Sequence, residues 1–319
     1  MRYYECLIPG KTTVQNAIKS SVSFTGVGLH TGAPVRMTVR PASADYGIWF
    51  KRTDLITGDP MVPAIWSAVV PSKLCTLVAN ASGTTVSTIE HIMAALAGCG
   101  IHNALIEIDG PEVPILDGSA MPFVEGILAR GIRMLAVPVR AFRVLKRVEV
   151  REGESVARLD PATTLEIDFR IDFADRAIGQ QAKALNMANG AFVRELCASR
   201  TFCRQSDVDA MRANGLALGG TLENAVVVDG DLVLSPGGFR QDDEAVRHKM
   251  LDALGDLALA GAPILGRYTG IRAGHALTNR LLRALFADPA AYRLTEVAPA
   301  ERATLPGIGV HRADLPAWS

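Results

Sequence analysis

The sequence predicts an α+β fold in two similar halves, and three observations carry that expectation. Strand-like text precedes helix-like text, and this order occurs twice with a break near Pro138. The 319 residues are enough for two domains, each able to bury a core of its own. No short-period repeat or low-complexity tract interrupts the order.

Residues 1–16 read as an irregular leader without the apolar stretch of a signal peptide. The first domain, 17–137, opens on strands. Val35, Met37 and Val39 alternate with polar neighbours, and Gly47 to Phe50 follows the Pro41-Ala-Ser-Ala turn. Ile89, Ile92, Met93 and Leu96 then fall at i, i+3, i+4 and i+7, which predicts a helix over 88–98 ending at Gly98 and Gly100. Residues 104–108 return to strand. Asp117-Gly118 turns the chain into a helix over 119–130, with Ser119 as N-cap and Pro122 in the first turn.

The second domain, 138–295, repeats the pattern. Val144, Val148 and Val150 mark strands, and Leu165, Ile167, Phe169, Ile171 and Phe173 alternate cleanly. A helix over 206–214, a strand over 225–228 and helices over 243–259 and 276–287 complete it. The tail 296–319, with Pro299, Pro306 and Pro316, has no sustained period and is expected to be partly disordered.

Bulk properties narrow the function. Lys plus Arg (33) equals Asp plus Glu (33), so no net field favours nucleic acid or an anionic membrane. No run of about eighteen apolar residues is present to span a bilayer. Five cysteines without a CxxC pair suit a reducing compartment. A cytoplasmic monomer is expected.

The most informative stretch is Arg247 to Asp256. At about 100° per residue it places His248, Asp252 and Asp256 on one helical stripe, opposite Val246, Met250, Ala253, Leu254 and Leu257. An imidazole and two carboxylates on one face can hold a cation, although a charged stripe also serves simply to face water. Glu90 and His91 lie off the apolar stripe of their own helix, and Gly274-His275 precedes another. Two His and one Asp form a natural zinc set that leaves a fourth position for water. A Glu and a further His would then supply proton transfer.

These residues fall in blocks: GVGLHTG (26–32), STIEHIMAALAG (87–98), EVPILDGSAMPFV (112–124), SRTF (199–202), GGTLENAVVVD (219–229), VRHKMLDALGDL (246–257) and GHALTNRLL (274–282). In order and spacing, over roughly 17–287, the chain resembles the UDP-3-O-acyl-N-acetylglucosamine deacetylases, zinc enzymes of the committed step of lipid A synthesis. The resemblance implies two domains, each a sheet backed by two helices, with the helix layers packed together between the sheets. It implies zinc, with iron able to replace it, held by His91, His248 and Asp252. Such an ion brings a bound water to a pKa of ~7. The implied substrate is an acylated UDP-sugar that loses an N-acetyl group.

The remaining roles follow from the same resemblance, each beside a plainer reading. Glu90 matches the general base, but Ser87-x-x-Glu90 is also a capping box, and a capping carboxylate would turn away from a metal. His275 matches a general acid or oxyanion-stabilising cation, or merely caps a helix. Asp256 matches its orienting carboxylate, which would raise the pKa of His275 while a nearby helix N-terminus would lower it. Thr201 matches the hydroxyl at the oxyanion, or is an ordinary strand residue. Lys249 matches a diphosphate-anchoring lysine, or is solvated. Phe202 is a substrate contact or core. His30 lies in the block placed near the mouth of the site. Residues 201–220 match an insert carrying the acyl passage, with Leu216 and Leu218 as candidate lining.

Other chemistries are excluded by spacing. HExxH is absent, the glycines at 26–32 miss the dinucleotide fingerprint by one residue, and Asp117-Gly-Ser119 lacks the G-x-S-x-G frame. His102 and Cys203-Arg204 depart from the forms the resemblance leads one to expect, and Arg204 bears on acyl preference. The position of Cys75 relative to a metal is left open. Two rivals remain at this point: a zinc deacetylase of another N-acetyl sugar, and a non-catalytic nucleotide-sugar binder.

Overall fold

The computed structural model describes residues 13–317, so most of the 1–16 leader lies outside the described residues. Its end is not irregular. Val14–Ile18 forms a strand paired antiparallel with Ile132–Pro138.

The first sheet runs in the order Val22–Val27, Pro34–Pro41, Ala104–Ile108, Ile48–Arg52, Met61–Pro63. Pairing is antiparallel except between Ile48–Arg52 and Ala104–Ile108. The alternation at Val35, Met37 and Val39 is realised, all three buried on the inner face. The second sheet is ordered Val148–Glu152, Ser155–Pro161, Ile264–Ile271, Arg140–Val144, Tyr292–Glu296; Leu165–Asp172 also pairs with Ile264–Ile271 and carries Gln180–Asn186 on its other edge. Phe202–Arg204, Val226–Asp229 and Leu232–Val233 form a small separate three-stranded sheet.

The α-helices are α1 (Glu90–Gly98), α2 (Met121–Arg130), α3 (Gln205–Ala213), α4 (Glu244–Ala258) and α5 (His275–Ala287). The pairs α1/α2 and α4/α5 back the two sheets, and α1 packs on α4 between them. This is the layered α+β arrangement the sequence implied. One apolar core runs through both halves, taking in Phe50, Ile92, Phe123, Leu254, Tyr268 and Leu281. Being central, α1 and α4 are buried nearly all round rather than along one stripe.

The crossing of α1 and α4 is set by Gly255. A Cβ there would lie 2.1 Å from the carbonyl oxygen of Glu90, so only glycine lets the backbones come this close. At the other end of α1, Gly98 receives the ring of Phe192 in the same manner, where a Cβ would meet Cδ1 at 2.0 Å.

Two local expectations are corrected. Helix α2 starts at Met121 with Ala120 in the N-cap position, because Asp117 accepts hydrogen bonds from both the backbone and the hydroxyl of Ser119 and holds it in the preceding turn. The Ser119 hydroxyl still accepts from the Met121 N–H at 3.1 Å. The tail is packed as far as it is described. Val297 and Leu305 join Val139, Ala141 and Leu265 in a small second cluster, and Val310 enters the main core. Isolated apolar residues on irregular chain leave no period to detect, which is why the sequence concealed this docking.

Two outcomes test this frame. Helical Gly→Ala normally stabilises by up to about 1 kcal/mol. Here overpacking reverses the sign, and Gly255→Ala should lose ~1–3 kcal/mol in urea unfolding. His102 accepts the Asn16 N–H at Nδ1 (3.0 Å), and burial lowers its pKa from 6.5 to about 4. Because the folded pKa lies below the unfolded one, its contribution is complete above pH 6.5 and is lost as pH falls toward about 4. His102→Asn keeps an acceptor but cannot titrate. Relative to this variant, the wild-type urea midpoint should therefore fall selectively across that window.

Candidate metal centre and active site

The stripe His248, Asp252, Asp256 on α4 is only 3%, 5% and 4% exposed, because α1 lies across it. The crossing brings His91 from α1 to the same point. His91 Nε2 lies 3.7 Å and His248 Nε2 3.3 Å from Asp252 Oδ1, and the two rings meet edge to face at 5.1 Å. One donor atom from each residue lies within 4.8 Å of the others, the spacing of a three-residue metal site.

Three details fit a bound cation. Asp252 Oδ1 is buried between two imidazoles with no hydrogen-bond donor, a costly arrangement unless something positive occupies the gap. His248 Nδ1 sits 3.0 Å from the Ser199 carbonyl, which fixes the tautomer and leaves Nε2 facing the site. Burial lowers the pKa of both histidines, that of His91 to about 3 with help from His248, so both are neutral donors. Burial acts to raise the pKa of Asp252, but His248, Lys249, His275 and His91 together outweigh burial and lower it; with His91 and His248 neutral, the Lys249 and His275 cations keep the carboxylate ionised. Cys75 is buried and stands outside this set. Burial, with Glu90 nearby, pushes its thiol pKa up, so it is a poor donor.

Glu90 does not form the capping box. Thr88, two residues before α1, adopts φ +57°, a strained value for a β-branched residue, and its hydroxyl is tied to Glu112 at 2.9 Å. That turn sends the Ser87 hydroxyl to the Pro111 carbonyl and frees the Glu90 side chain to point at the site. Glu90 Oε2 accepts the Thr76 N–H at 3.0 Å, and Oε1 lies 3.7 Å from His275 Nε2. Burial raises the Glu90 pKa to about 7, with His275 opposing and Asp252 and Asp256 adding to the rise.

His275 is the first residue of α5, and its Nδ1 meets Asp256 Oδ2 at 2.8 Å. Burial acts to lower its pKa, but Asp256 and Glu90 outweigh burial and raise it to about 9. Of the two influences weighed in the sequence, the carboxylate partner thus outweighs the others and favours imidazolium.

A cavity of about 620 Å³ opens onto these groups and is also lined by His30, Lys249, Thr201 and Phe202. Lys249 is not a solvated surface lysine. Its Nζ donates to Asp252 Oδ2 at 2.7 Å, leaving further donors toward the cavity. Phe202 stands edge-on to His248 and to Phe173. His30 has neither ring nitrogen hydrogen-bonded, while its backbone N–H is held by Glu112 Oε1 at 2.8 Å.

The cavity continues past Val208, Met211, Ala217 and Leu222. Leu216 and Leu218 are not part of that wall. They are 38% and 58% exposed, because left-handed backbone at Gly215 and Ala217 turns Ala217 inward and its neighbours out. Arg204 lines the cavity with its Nε 3.1 Å from Asp175 Oδ2, so its charge is compensated there. Sequence reasoning missed Thr76 and Glu112. Glu112 had a usable signal, a carboxylate in an otherwise apolar stretch; Thr76 had none.

An α+β protein with a buried His–His–Asp centre beside a carboxylate–imidazole pair is built as a hydrolase. The family model of UDP-3-O-acyl N-acetylglycosamine deacetylase matches residues 15–287, and the chain belongs to that family. It is 51% identical over 284 residues to the UDP-3-O-acyl-N-acetylglucosamine deacetylase of Phenylobacterium zucineum (strain HLK1), covering 89% of this chain and 97% of that one. The protein of the same name from Anaeromyxobacter dehalogenans (strain 2CP-C) is 44% identical over 302 residues, 93% of this chain and 97% of the relative. That of Shewanella sp. (strain W3-18-1) is 45% identical over 282 residues, 88% and 92%. Among the described residues no helix is long and apolar enough to cross a membrane.

The donor set makes a direct prediction. The protein should bind one divalent ion per chain, measured by elemental analysis after gel filtration. His248→Ala and His91→Ala should each lower that affinity by ~10²-fold or more, since removing one of three ligands exceeds the second-shell losses of 10–100-fold. Cys75→Ala should leave it unchanged.

Proposed function

We propose that this protein hydrolyses the N-acetyl group of UDP-3-O-((R)-3-hydroxyacyl)-N-acetylglucosamine, giving acetate and the 2-amino sugar nucleotide, in the committed step of lipid A biosynthesis. The observation that carries this reading is the convergence of His91, His248 and Asp252 with Glu90 and His275 at the head of an apolar-walled cavity. We place the two domains at 17–137 and 138–295, with the acyl-passage insert near 201–220, and the enzyme in the cytoplasm as a monomer.

His91, His248 and Asp252 hold zinc in this reading, or iron in its place. Such an ion acidifies water and polarises a carbonyl oxygen. Glu90, with its pKa near neutrality, accepts the proton of the attacking water. The Thr201 hydroxyl donates to the acetamide oxygen as negative charge develops on it. His275, cationic and held by Asp256 at Nδ1, passes the Nε2 proton to the departing amine. Lys249 supplies a point charge for the diphosphate. Phe202 and His30 border the sugar, and the wall from Val208 to Leu222 takes the acyl chain.

Two measurements test this reading. Glu90→Gln and His275→Gln should each lower kcat by on the order of 10²-fold with metal content unchanged, as lost acid–base groups do. Wild-type turnover in either variant would remove that group from the mechanism. In a series of 3-O-acyl substrates of rising length, kcat/KM should climb with each buried methylene, worth up to ~0.8 kcal/mol, until the passage is filled. Equal kcat/KM for UDP-N-acetylglucosamine and its acylated forms would leave a general sugar deacetylase instead. Binding without acetate release would leave a nucleotide-sugar binder.

A further inference from the structure

Thr76 has no part in the roles above, yet it joins the groups that perform them. It lies just before the strand Leu77–Ala79 and is buried. Its hydroxyl donates to Asp256 Oδ1 at 2.6 Å, and its backbone N–H donates to Glu90 Oε2 at 3.0 Å. The second oxygen of Asp256 meets His275 Nδ1 at 2.8 Å, and His275 Nε2 faces the second oxygen of Glu90 at 3.7 Å. Thr76, Asp256, His275 and Glu90 therefore form a closed ring of polar contacts, three of them hydrogen bonds, contributed by both halves of the molecule.

We infer that Thr76 is a positioning residue for proton transfer. A carboxylate held only at Oδ2 can swing about that contact and take the imidazole with it. A second hydrogen bond at Oδ1 fixes the carboxylate plane, and so the direction in which His275 Nε2 points. The Thr76 hydroxyl supplies that second bond, the one hydrogen bond to Asp256 Oδ1 among the described residues. Its N–H does the same for Glu90, so that Oε2 is tied and Oε1 is left toward His275 and the cavity. The side chain and the backbone of one residue thus set the relative orientation of the proposed base and acid. The inference rests on the hydrolytic reading above.

The test uses the metal-loaded, full-length protein and the series Thr76→Val, Thr76→Ser and Thr76→Ala. Valine keeps the shape and the backbone N–H and removes the hydroxyl; serine keeps the hydroxyl. A misaligned acid should cost roughly 10- to 100-fold in kcat. Thr76→Val should show that loss with KM and metal content unchanged, and Thr76→Ser should recover most of it. On an Asp256→Asn background Thr76→Val should add almost nothing, because the two substitutions break one chain of contacts.

A second readout needs no turnover. The downfield Nδ1–H proton resonance of His275, identified by its loss in His275→Gln, should move upfield in Thr76→Val and return in Thr76→Ser. Absence of acetate release by the wild type would defeat the deacetylase reading while leaving this resonance to report on Thr76. Wild-type kcat and an unmoved resonance in Thr76→Val would overturn the inference, as would an undiminished loss on the Asp256→Asn background. If valine and alanine both fail to fold while serine is fully stable, Thr76 serves the fold, and the inference is likewise overturned.

Discussion

The close crossing of α1 and α4 is the constraint on which the rest of the molecule depends. Gly255 against the Glu90 carbonyl brings the two backbones nearer than any side chain would allow. That approach places Glu90 and His91 beside His248, Asp252 and Asp256. The sheets on either side supply apolar walls that hold the helices at this separation, and a single core runs through both. An interface this dry makes the polar residues inside it expensive, so each needs a specific partner.

Those partners explain the protonation pattern. Burial alone would neutralise every titratable group at the crossing. Asp252 stays ionised because cationic and imidazole groups surround it, and His275 stays protonated because two carboxylates flank it. Glu90 is pushed instead to about 7, where it can both take up and release a proton. One low-dielectric site thus holds a cation, a neutral imidazole pair and a near-neutral carboxyl group within a few ångströms. In the candidate metal set, Asp252 Oδ1 is a fully buried oxygen for which the protein supplies no donor.

The wall leading away from the site is built differently. Two residues lining the cavity sit where the chain changes direction: Thr88 before α1 and Ala217 after α3 both hold positive φ without being glycine. Thr88 is compensated by its bond to Glu112, the same carboxylate that anchors the His30 backbone. Glu112 therefore couples the entry to α1 with the loop at the cavity mouth, although it does not itself face the metal set.

Elements whose packing is periodic can be read directly from the sequence. The strand at 165–172, α4 and α5 were legible because a buried face forces apolar residues to recur at 2.0 or 3.6 positions. The candidate metal set was proposed because His248 and Asp252 share a helical stripe and the surrounding blocks resemble a known family, and the three residues do converge. Tertiary packing set the rest: the stripe on α4 is buried, Glu90 escapes its capping box, and Asp256 and Glu90 outweigh burial at His275. It also decided that Leu216 and Leu218 face solvent, that the tail docks, and that Thr76 reaches Asp256 across 180 residues of chain. The physical reason is common to these cases. Each depends on which atoms of a distant segment fill the space beside a residue, and neither periodicity nor local propensity records that.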